Sequence, residues 1–181
     1  MPRSGLVGAG TWTLAAPAGT PGSAGTVHTY ALRIEDGTGL VPEEVAAEIA
    51  GILADERGWG PLEDVAFTQV ADPGTAEFTI SLASPPTTDA LCAPARTQGT
   101  WSCRVGPDVV LNSDRWTLMT PTYTDLSTYR AYMVNHEVGH FLGHRHEACP
   151  GAGRAAPVML QQSMDLGGCV PNAWPAADGA A

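Results

Sequence analysis

The segment 135–147, which reads NHEVGHFLGHRHE, constrains this chain more than any other part of its sequence. Residues four apart on a helix lie one turn apart on the same face, so His136 and His140 can point two imidazoles at one ion. Gly143 permits a positive φ, so the helix can end there and the chain can turn back sharply. That turn would bring His146 in as a third nitrogen ligand.

Glu137 extends the prediction from metal binding to chemistry. It follows the first histidine, where it can lie beside a metal-bound water and act as a general base. Three protein nitrogens and one water form the open four-coordinate arrangement of a catalytic zinc, which differs from the closed ligand set of a structural zinc. The sequence therefore predicts one Zn²⁺ ion with His136, His140 and His146 as ligands and Glu137 as the catalytic residue.

Two simpler interpretations compete with a catalytic zinc site. One is a histidine-rich surface helix without a metal, and the other is a zinc site that only stabilises the fold. A bare HExxH pattern often occurs by chance, but an added glycine and a third histidine at fixed offsets make coincidence rare. Four of the five histidines of the chain fall in this segment. A purely structural zinc site would also not need Glu137.

The extended motif resembles the signature of the metzincins, a family of zinc endopeptidases. Metzincins carry a methionine in a tight turn below the metal. The resemblance implies Met159 for this role, because Pro157 favours a turn just before it, and Met164 is the alternative. Together with the later runs CPG, PVM and GCVPNAWP, the segment is also similar to a family of secreted actinobacterial metzincin-like proteins of unknown function. This similarity begins at about Tyr30 and brings no known substrate.

The hydrophobic pattern predicts one α+β domain, since 181 residues are enough for one domain with a real core. One helix should open at Pro42 and end at Gly58, and the zinc helix should cover 126–142. We expect a loop over 85–100, irregular structure over 116–124, and only a turn near 160–163 beyond His146. The predicted strands are 5–16, 27–34, 65–70, 77–83, 100–105 and 109–111.

From Val27 onward, this order of elements is similar to the metzincin N-terminal subdomain. The resemblance implies a metzincin-like zincin fold, with a mixed twisted sheet, an antiparallel edge strand, two main helices and an irregular C-terminal subdomain. The chain 1–181 would then be a single metalloprotease-like domain. Its N-terminal subdomain, 1–143, would end in the zinc helix, and its C-terminal subdomain, 144–181, would hold the methionine turn.

In the metzincin fold the antiparallel edge strand borders the cleft and pairs with the substrate backbone. The candidate here is 100–105, and 77–83 is the alternative. Such a strand binds an extended protein or peptide substrate through main-chain hydrogen bonds and so tolerates many sequences. The competing interpretation is a plain sheet edge that the loop between Cys92 and Cys103 shields.

The four cysteines predict two disulfides. They lack the CxxC spacing of a structural zinc site, and an even count at wide spacing favours disulfides in an exported chain. Three pairings are possible, and we prefer the sequence-local one, Cys92–Cys103 with Cys149–Cys169. Free buried thiols in a cytosolic protein are the alternative.

The formal net charge of −10 argues against nucleic acid and against anionic lipid surfaces as partners. No stretch has the length of a membrane span, and no signal peptide is visible after Met1. If the protein is secreted or lies on the cell surface, we expect the sequence given to begin after a removed signal or anchor. We expect a monomer.

The sequence thus favours a secreted zinc endopeptidase. Zinc would polarise the scissile carbonyl, and Glu137 would take a proton from the attacking water and pass it to the leaving amine. Tyr129 and Tyr132, seven and four residues before His136, are candidates for a donor that stabilises the transition state, although core packing is the default for both. The alternatives are a catalytically weak or inactive zinc-containing binding module at the cell envelope, or a hydrolase for peptidoglycan stem peptides.

Overall fold

The fold was analysed in a computed structural model that describes residues 1–23 and 25–180. Six strands and five α-helices are present in this part of the chain, together with 3₁₀ turns at Pro73–Thr75 and Pro175–Ala177. In chain order the elements are β1 (Trp12–Leu14), β2 (Thr26–Glu35), α1 (Pro42–Leu53), α2 (Trp59–Glu63), β3 (Val65–Gln69), β4 (Phe78–Ala83), α3 (Pro85–Cys92), β5 (Cys103–Val105), β6 (Asp108–Asn112), α4 (Ser113–Leu118) and α5 (Leu126–Leu142).

The strands form one mixed sheet in the order β1-β2-β4-β6-β5, and β3 also pairs with β2. The pairs β2–β3, β2–β4 and β4–β6 are parallel, whereas β1 and β5 are antiparallel to their neighbours. The predicted α+β class and the antiparallel edge strand within 100–105 are therefore confirmed. The alternative edge, 77–83, is wrong, because β4 lies between β2 and β6 in the middle of the sheet.

Of the two longest helices, α5 has its predicted range, whereas α1 begins at Pro42 as predicted but ends at Leu53. The predicted end at Gly58 is wrong, because Gly58 instead stands just before α2, as its N-cap residue. In α1, Pro42 stands in the first turn, and Val45 and Ile49 are among the residues that face the core. The α5 helix covers the predicted range 126–142, and the side chain of Asp125 caps it by accepting a hydrogen bond from the backbone of Thr128. No helix in the described residues is long and apolar enough to cross a lipid bilayer.

Two segments predicted to lack helix contain short ones. Residues 85–100 begin with α3, whose two prolines occupy its first turn, where a missing N–H costs nothing. Residues 116–124 begin inside α4, which Asn112 caps by accepting a hydrogen bond from the backbone N–H of Asp114. Helices of eight and six residues are too short to show a clear apolar period, so the sequence pattern missed them.

Both predicted disulfides are present, and the described residues contain no free cysteine. Cys92–Cys103 joins the end of α3 to the start of β5. Cys149–Cys169 closes a loop around Met159 and ties the two ends of that irregular segment together. In the chain-entropy model, loops of this size stabilise the folded state by about 3 kcal/mol each.

The main hydrophobic core contains side chains from the sheet, from α1 and α5, and from the segment after His146. Val158, Met159 and Ala173 supply the contribution of that last segment, which otherwise has little regular structure. Its chain therefore packs against α5 as part of the same core. The boundary between two subdomains at residue 143 stays a prediction.

Candidate metal centre

Three imidazoles meet at the C-terminal end of α5. Ligand nitrogens of His136, His140 and His146 all lie within 4.8 Å of one another. The Nε2 atoms of His140 and His146 are 3.1 Å apart. Two nitrogens that bind one zinc ion tetrahedrally at about 2.0–2.1 Å lie about 3.3 Å apart. The spacing of the rings is therefore suited to a single small cation.

The end of α5 brings the third histidine into this cluster. Gly143 follows the last helical residue with φ 103°, a conformation that other residues rarely adopt. The backbone N–H of His144 then bonds to the carbonyl of Gly139 and closes the turn. His140 Nδ1 donates to the carbonyl of His144, at 2.9 Å, so its Nε2 is the nitrogen free for a metal.

His136 is oriented by the segment that follows the cluster. Its Nδ1 donates to the carbonyl of Val158 at 2.8 Å, which leaves Nε2 for a metal. Burial lowers the pKa of His136 to about 3, and the nearby His140 and His146 act in the same direction. The pKa of His146 is also lowered, first by burial and then by His140. Both imidazoles are thus neutral near pH 7, which is the form that binds metal ions.

Glu137 lines the same cleft and is 6% exposed. Burial alone raises its pKa to about 8. Among the described residues its carboxylate has no hydrogen-bond partner. A divalent cation at the neighbouring histidines would favour the ionised form of this carboxylate. An unpaired carboxylate beside a cation can accept a proton from water, so the position is suitable for a general base.

The structure places Met159 against the face of α5 that carries the histidines. Its side chain is fully buried, and its carbonyl accepts a hydrogen bond from the backbone of Glu147 at 3.1 Å. Met164, in contrast, is 49% exposed and lies on the cleft wall. Met159 therefore packs against the helix that carries the histidines and Met164 does not, and the methionine-turn role of Met159 stays a prediction.

Close packing between Met159 and α5 depends on the glycine between the first two histidines. A Cβ atom at Gly139 would lie 2.6 Å from Sδ of Met159 and 2.8 Å from the ring of Trp59. Trp59 is itself held in place, because its indole N–H donates to the carbonyl of Asn135. Residue 139 therefore has to be glycine for Met159 and Trp59 to lie this close to the helix.

We expect Gly139→Ala to destabilise the fold by about 1–3 kcal/mol, because the new methyl group overpacks a filled core. Gly51→Ala is the matched control, since Gly51 is exposed in α1 and nothing lies within 4 Å of an added Cβ. Alanine is favoured over glycine in a helix, so this control should gain up to about 1 kcal/mol. Urea denaturation of both variants measures the difference. Equal stability changes would contradict the packing described for Met159.

The hydroxyls of the two candidate tyrosines bind the chain just after Met159. Tyr132 donates to the carbonyl of Leu160 at 3.0 Å and accepts from the backbone N–H of Gln162. The Tyr129 hydroxyl lies 3.0 Å from Oγ of Ser163. Both tyrosines line the cleft. Burial raises the pKa of Tyr129 to about 12, so its hydroxyl keeps its proton, and its partner is a side chain rather than the backbone. A donor role therefore stays a prediction, and Tyr129 is the better candidate.

The cleft that contains the histidines has a volume of about 480 Å³. Its floor is the face of α5 with His136, Glu137 and His140. One wall consists of residues 95–97 and 101–104, which include the first two residues of β5. The opposite wall contains Ser163 and Met164 among others. The loop closed by Cys92–Cys103 thus forms a rim of the cleft, so an extended ligand could lie between the edge strand and the segment after Met159.

Sequence reasoning missed the polar groups that hold this second segment. Asp178 accepts a hydrogen bond from the backbone N–H of Val158, whose carbonyl binds His136. Asn172 donates to the carbonyls of Ala156 and Trp174 and to Asp178. These partners are separated by irregular chain, so neither periodicity nor motif spacing could have revealed them.

The fold and the site define an α+β protein with three histidines and a glutamate in one cleft. The model of a family described as "Protein of unknown function (DUF3152)" matches residues 3–175, and the chain belongs to this family. No curated protein and no solved structure matches the chain.

Proposed function

We propose that this protein is a secreted zinc endopeptidase of the metzincin type. The observation that carries the proposal is the convergence of His136, His140 and His146 beside the unpaired carboxylate of Glu137. Each of the first two histidines donates its Nδ1 proton to a backbone carbonyl, which supports Nε2 as the metal ligand. This donor set is the one expected for an open catalytic zinc site.

Each part of the cleft has a role in the proposed hydrolysis. A zinc ion held by the histidines would polarise the peptide carbonyl and lower the pKa of a water molecule. Glu137 takes a proton from the attacking water and gives it to the leaving nitrogen as the C–N bond breaks. The edge strand β5 binds the extended peptide through main-chain hydrogen bonds. Tyr129 is the candidate for an additional donor to the developing oxyanion.

Two observations support an extracellular location. All four cysteines form disulfides, which persist in oxidising compartments. The two disulfides also flank the cleft, because one closes its rim and the other closes the segment around Met159. A reducing compartment would therefore weaken both sides of the proposed site.

The direct test is metal analysis of the purified protein combined with digestion of a broad peptide library. We expect one zinc ion per chain and cleavage of internal peptide bonds that a chelator abolishes and added zinc restores. A protein with full zinc occupancy that cleaves no peptide would overturn the endopeptidase proposal. A preparation that binds no zinc, even when zinc is supplied in excess, would overturn the metal site itself.

The second candidate function is a zinc-containing binding module at the cell envelope that lacks catalysis. One observation favours it, namely that the hydroxyls of Tyr129 and Tyr132 already have hydrogen-bond partners in the protein. Without a free donor, the oxyanion would rely on the metal alone. In the library experiment this candidate predicts full zinc occupancy and retention of some peptides without cleavage.

A further inference from the structure

The arginines of this protein fall into two groups. The chain has nine arginines and no lysine. Six of the nine make side-chain hydrogen bonds or ion pairs within the protein, namely Arg3, Arg33, Arg57, Arg115, Arg130 and Arg154. The other three, Arg96, Arg104 and Arg145, have no such partner among residues 1–23 and 25–180, and all three are exposed.

The partnerless arginines gather around the cleft. Arg96 lies on the loop closed by Cys92–Cys103, Arg104 is the central residue of β5, and both line the same wall. Arg145 lies between two cleft residues, His144 and His146, although it does not itself line the cleft. Every other arginine of the described chain makes a side-chain hydrogen bond or ion pair within the protein.

The charge of the cleft is opposite to that of the molecule. Its lining contains two arginines and one glutamate, a formal charge of +1, whereas the whole chain carries −10. A bound divalent cation would make the cleft more positive still. Two like charges on one wall disfavour each other unless solvent or an anionic ligand screens them. The wall is therefore suited to attracting negatively charged ligands, which the acidic remainder of the surface repels.

Arg104 lies on the edge strand, where it could contact the side chains of an extended ligand. β5 is an edge strand of the sheet, so no other strand pairs with its outer side, and its residues Cys103 and Arg104 line the cleft. A peptide that paired with this edge would place its side chains about 4.5–5.5 Å from the strand's own, measured between Cβ atoms. A carboxylate on that peptide would then be within reach of the Arg104 guanidinium. Arg96, on the adjoining loop, could pair with a second one.

We propose that the cleft selects extended peptides that carry aspartate or glutamate, whose carboxylates pair with Arg96 and Arg104. Cleavage of such peptides rests on the proposed endopeptidase function, whereas their binding does not. A peptide is favoured over other polyanions because the open edge of β5 supplies backbone hydrogen bonds as well as charge.

The test compares two pools of randomised decapeptides that are identical except that Asp and Glu in one are Asn and Gln in the other. Cleavage is measured with the zinc-loaded wild type, and binding is measured by fluorescence anisotropy with the zinc-loaded Glu137→Gln variant. We expect a preference of about tenfold for the acidic pool, the combined effect of two exposed ion pairs. The preference should fall as the salt concentration rises.

The decisive variant is Arg96→Gln combined with Arg104→Gln, which should abolish the preference in both measurements. Arg57→Gln combined with Arg154→Gln is the control, because it removes the same charge at exposed arginines that do not line the cleft. This control should keep the preference, and thermal melting shows whether each variant is folded.

Each outcome separates the two proposals. Cleavage of both pools at equal rates, or a preference that survives in the cleft variant, would overturn the acidic-peptide proposal and leave the endopeptidase proposal intact. Arginine-dependent binding of the acidic pool without any cleavage would overturn the endopeptidase proposal alone. Binding of a single-stranded DNA decamer as tight as that of the acidic pool would show a general polyanion site and overturn the assignment to peptides.

Discussion

The Glu137→Gln variant is expected to lose peptide hydrolysis by about 10²- to 10⁴-fold, because glutamine cannot accept the proton that a general base removes from water. Zinc binding should be unchanged, since Glu137 is not among the converging ligands. The variant should be at least as stable as the wild type, because a neutral amide replaces a carboxyl group whose pKa is raised by burial. The measurements are kcat/KM on a cleaved library peptide, zinc content and the melting temperature.

Glu147→Gln provides the matched control for this variant. The chemical change is the same, and Glu147 lies directly after the third histidine, but its side chain is exposed. Its structural contact is the backbone N–H bonded to Met159, which the substitution preserves. The control should keep wild-type activity. If the Glu137→Gln protein with full zinc hydrolysed peptides at the wild-type rate, Glu137 would not be the base.

The second large effect is expected for His146→Ala, which should weaken zinc affinity by more than about 100-fold. Loss of a supporting residue outside the ligand set already costs about 10- to 100-fold, and loss of a ligand should cost more. The substitution removes the only nitrogen of the cluster that does not lie on α5, so the two helical histidines would remain alone. Competition with a chromophoric chelator measures the zinc affinity.

His144→Ala is the control for the third ligand. His144 lies two residues earlier, stacks on Trp59 with ring centroids 4.3 Å apart, and pairs with Glu63. Its backbone carbonyl, which accepts the hydrogen bond from His140, is retained in the variant. Zinc affinity should therefore stay close to that of the wild type. Equal affinities for wild type and His146→Ala would show that the third ligand has been misassigned.

The parts of the fold that the sequence predicted are those with local signals. The helix predicted over 126–142 has a capping residue at one end and Gly143 at the other, and its range agrees with α5. The start of α1 at Pro42 and the disulfide pairs were also predicted correctly, but the predicted end of that helix at Gly58 is wrong, since α1 ends at Leu53. In contrast, α3 and α4 are too short to show an apolar period, so a loop over 85–100 and irregular structure over 116–124 were predicted in their place.

The candidate site was predictable only where one short motif carries its residues. Helical spacing relates His136, Glu137 and His140, and Gly143 predicts the turn that brings in His146. No such rule connects His136 to the carbonyl of Val158 or Val158 to Asp178, since tertiary packing sets both contacts. Likewise, Arg96 and Arg104 share one cleft wall because a disulfide and a sheet edge bring their segments together, which the sequence alone does not state.

The bond between His136 and Val158 has a consequence for the order of events during biosynthesis. When synthesis has reached His146, all three histidines are present. Val158, whose carbonyl orients His136, has not yet been made. That carbonyl is positioned by Asp178, 20 residues further on. A nascent chain could therefore hold metal only loosely until Asp178 has been synthesised. Tight capture of the ion would thus follow the folding of the segment after His146 onto α5, rather than the synthesis of the histidines themselves.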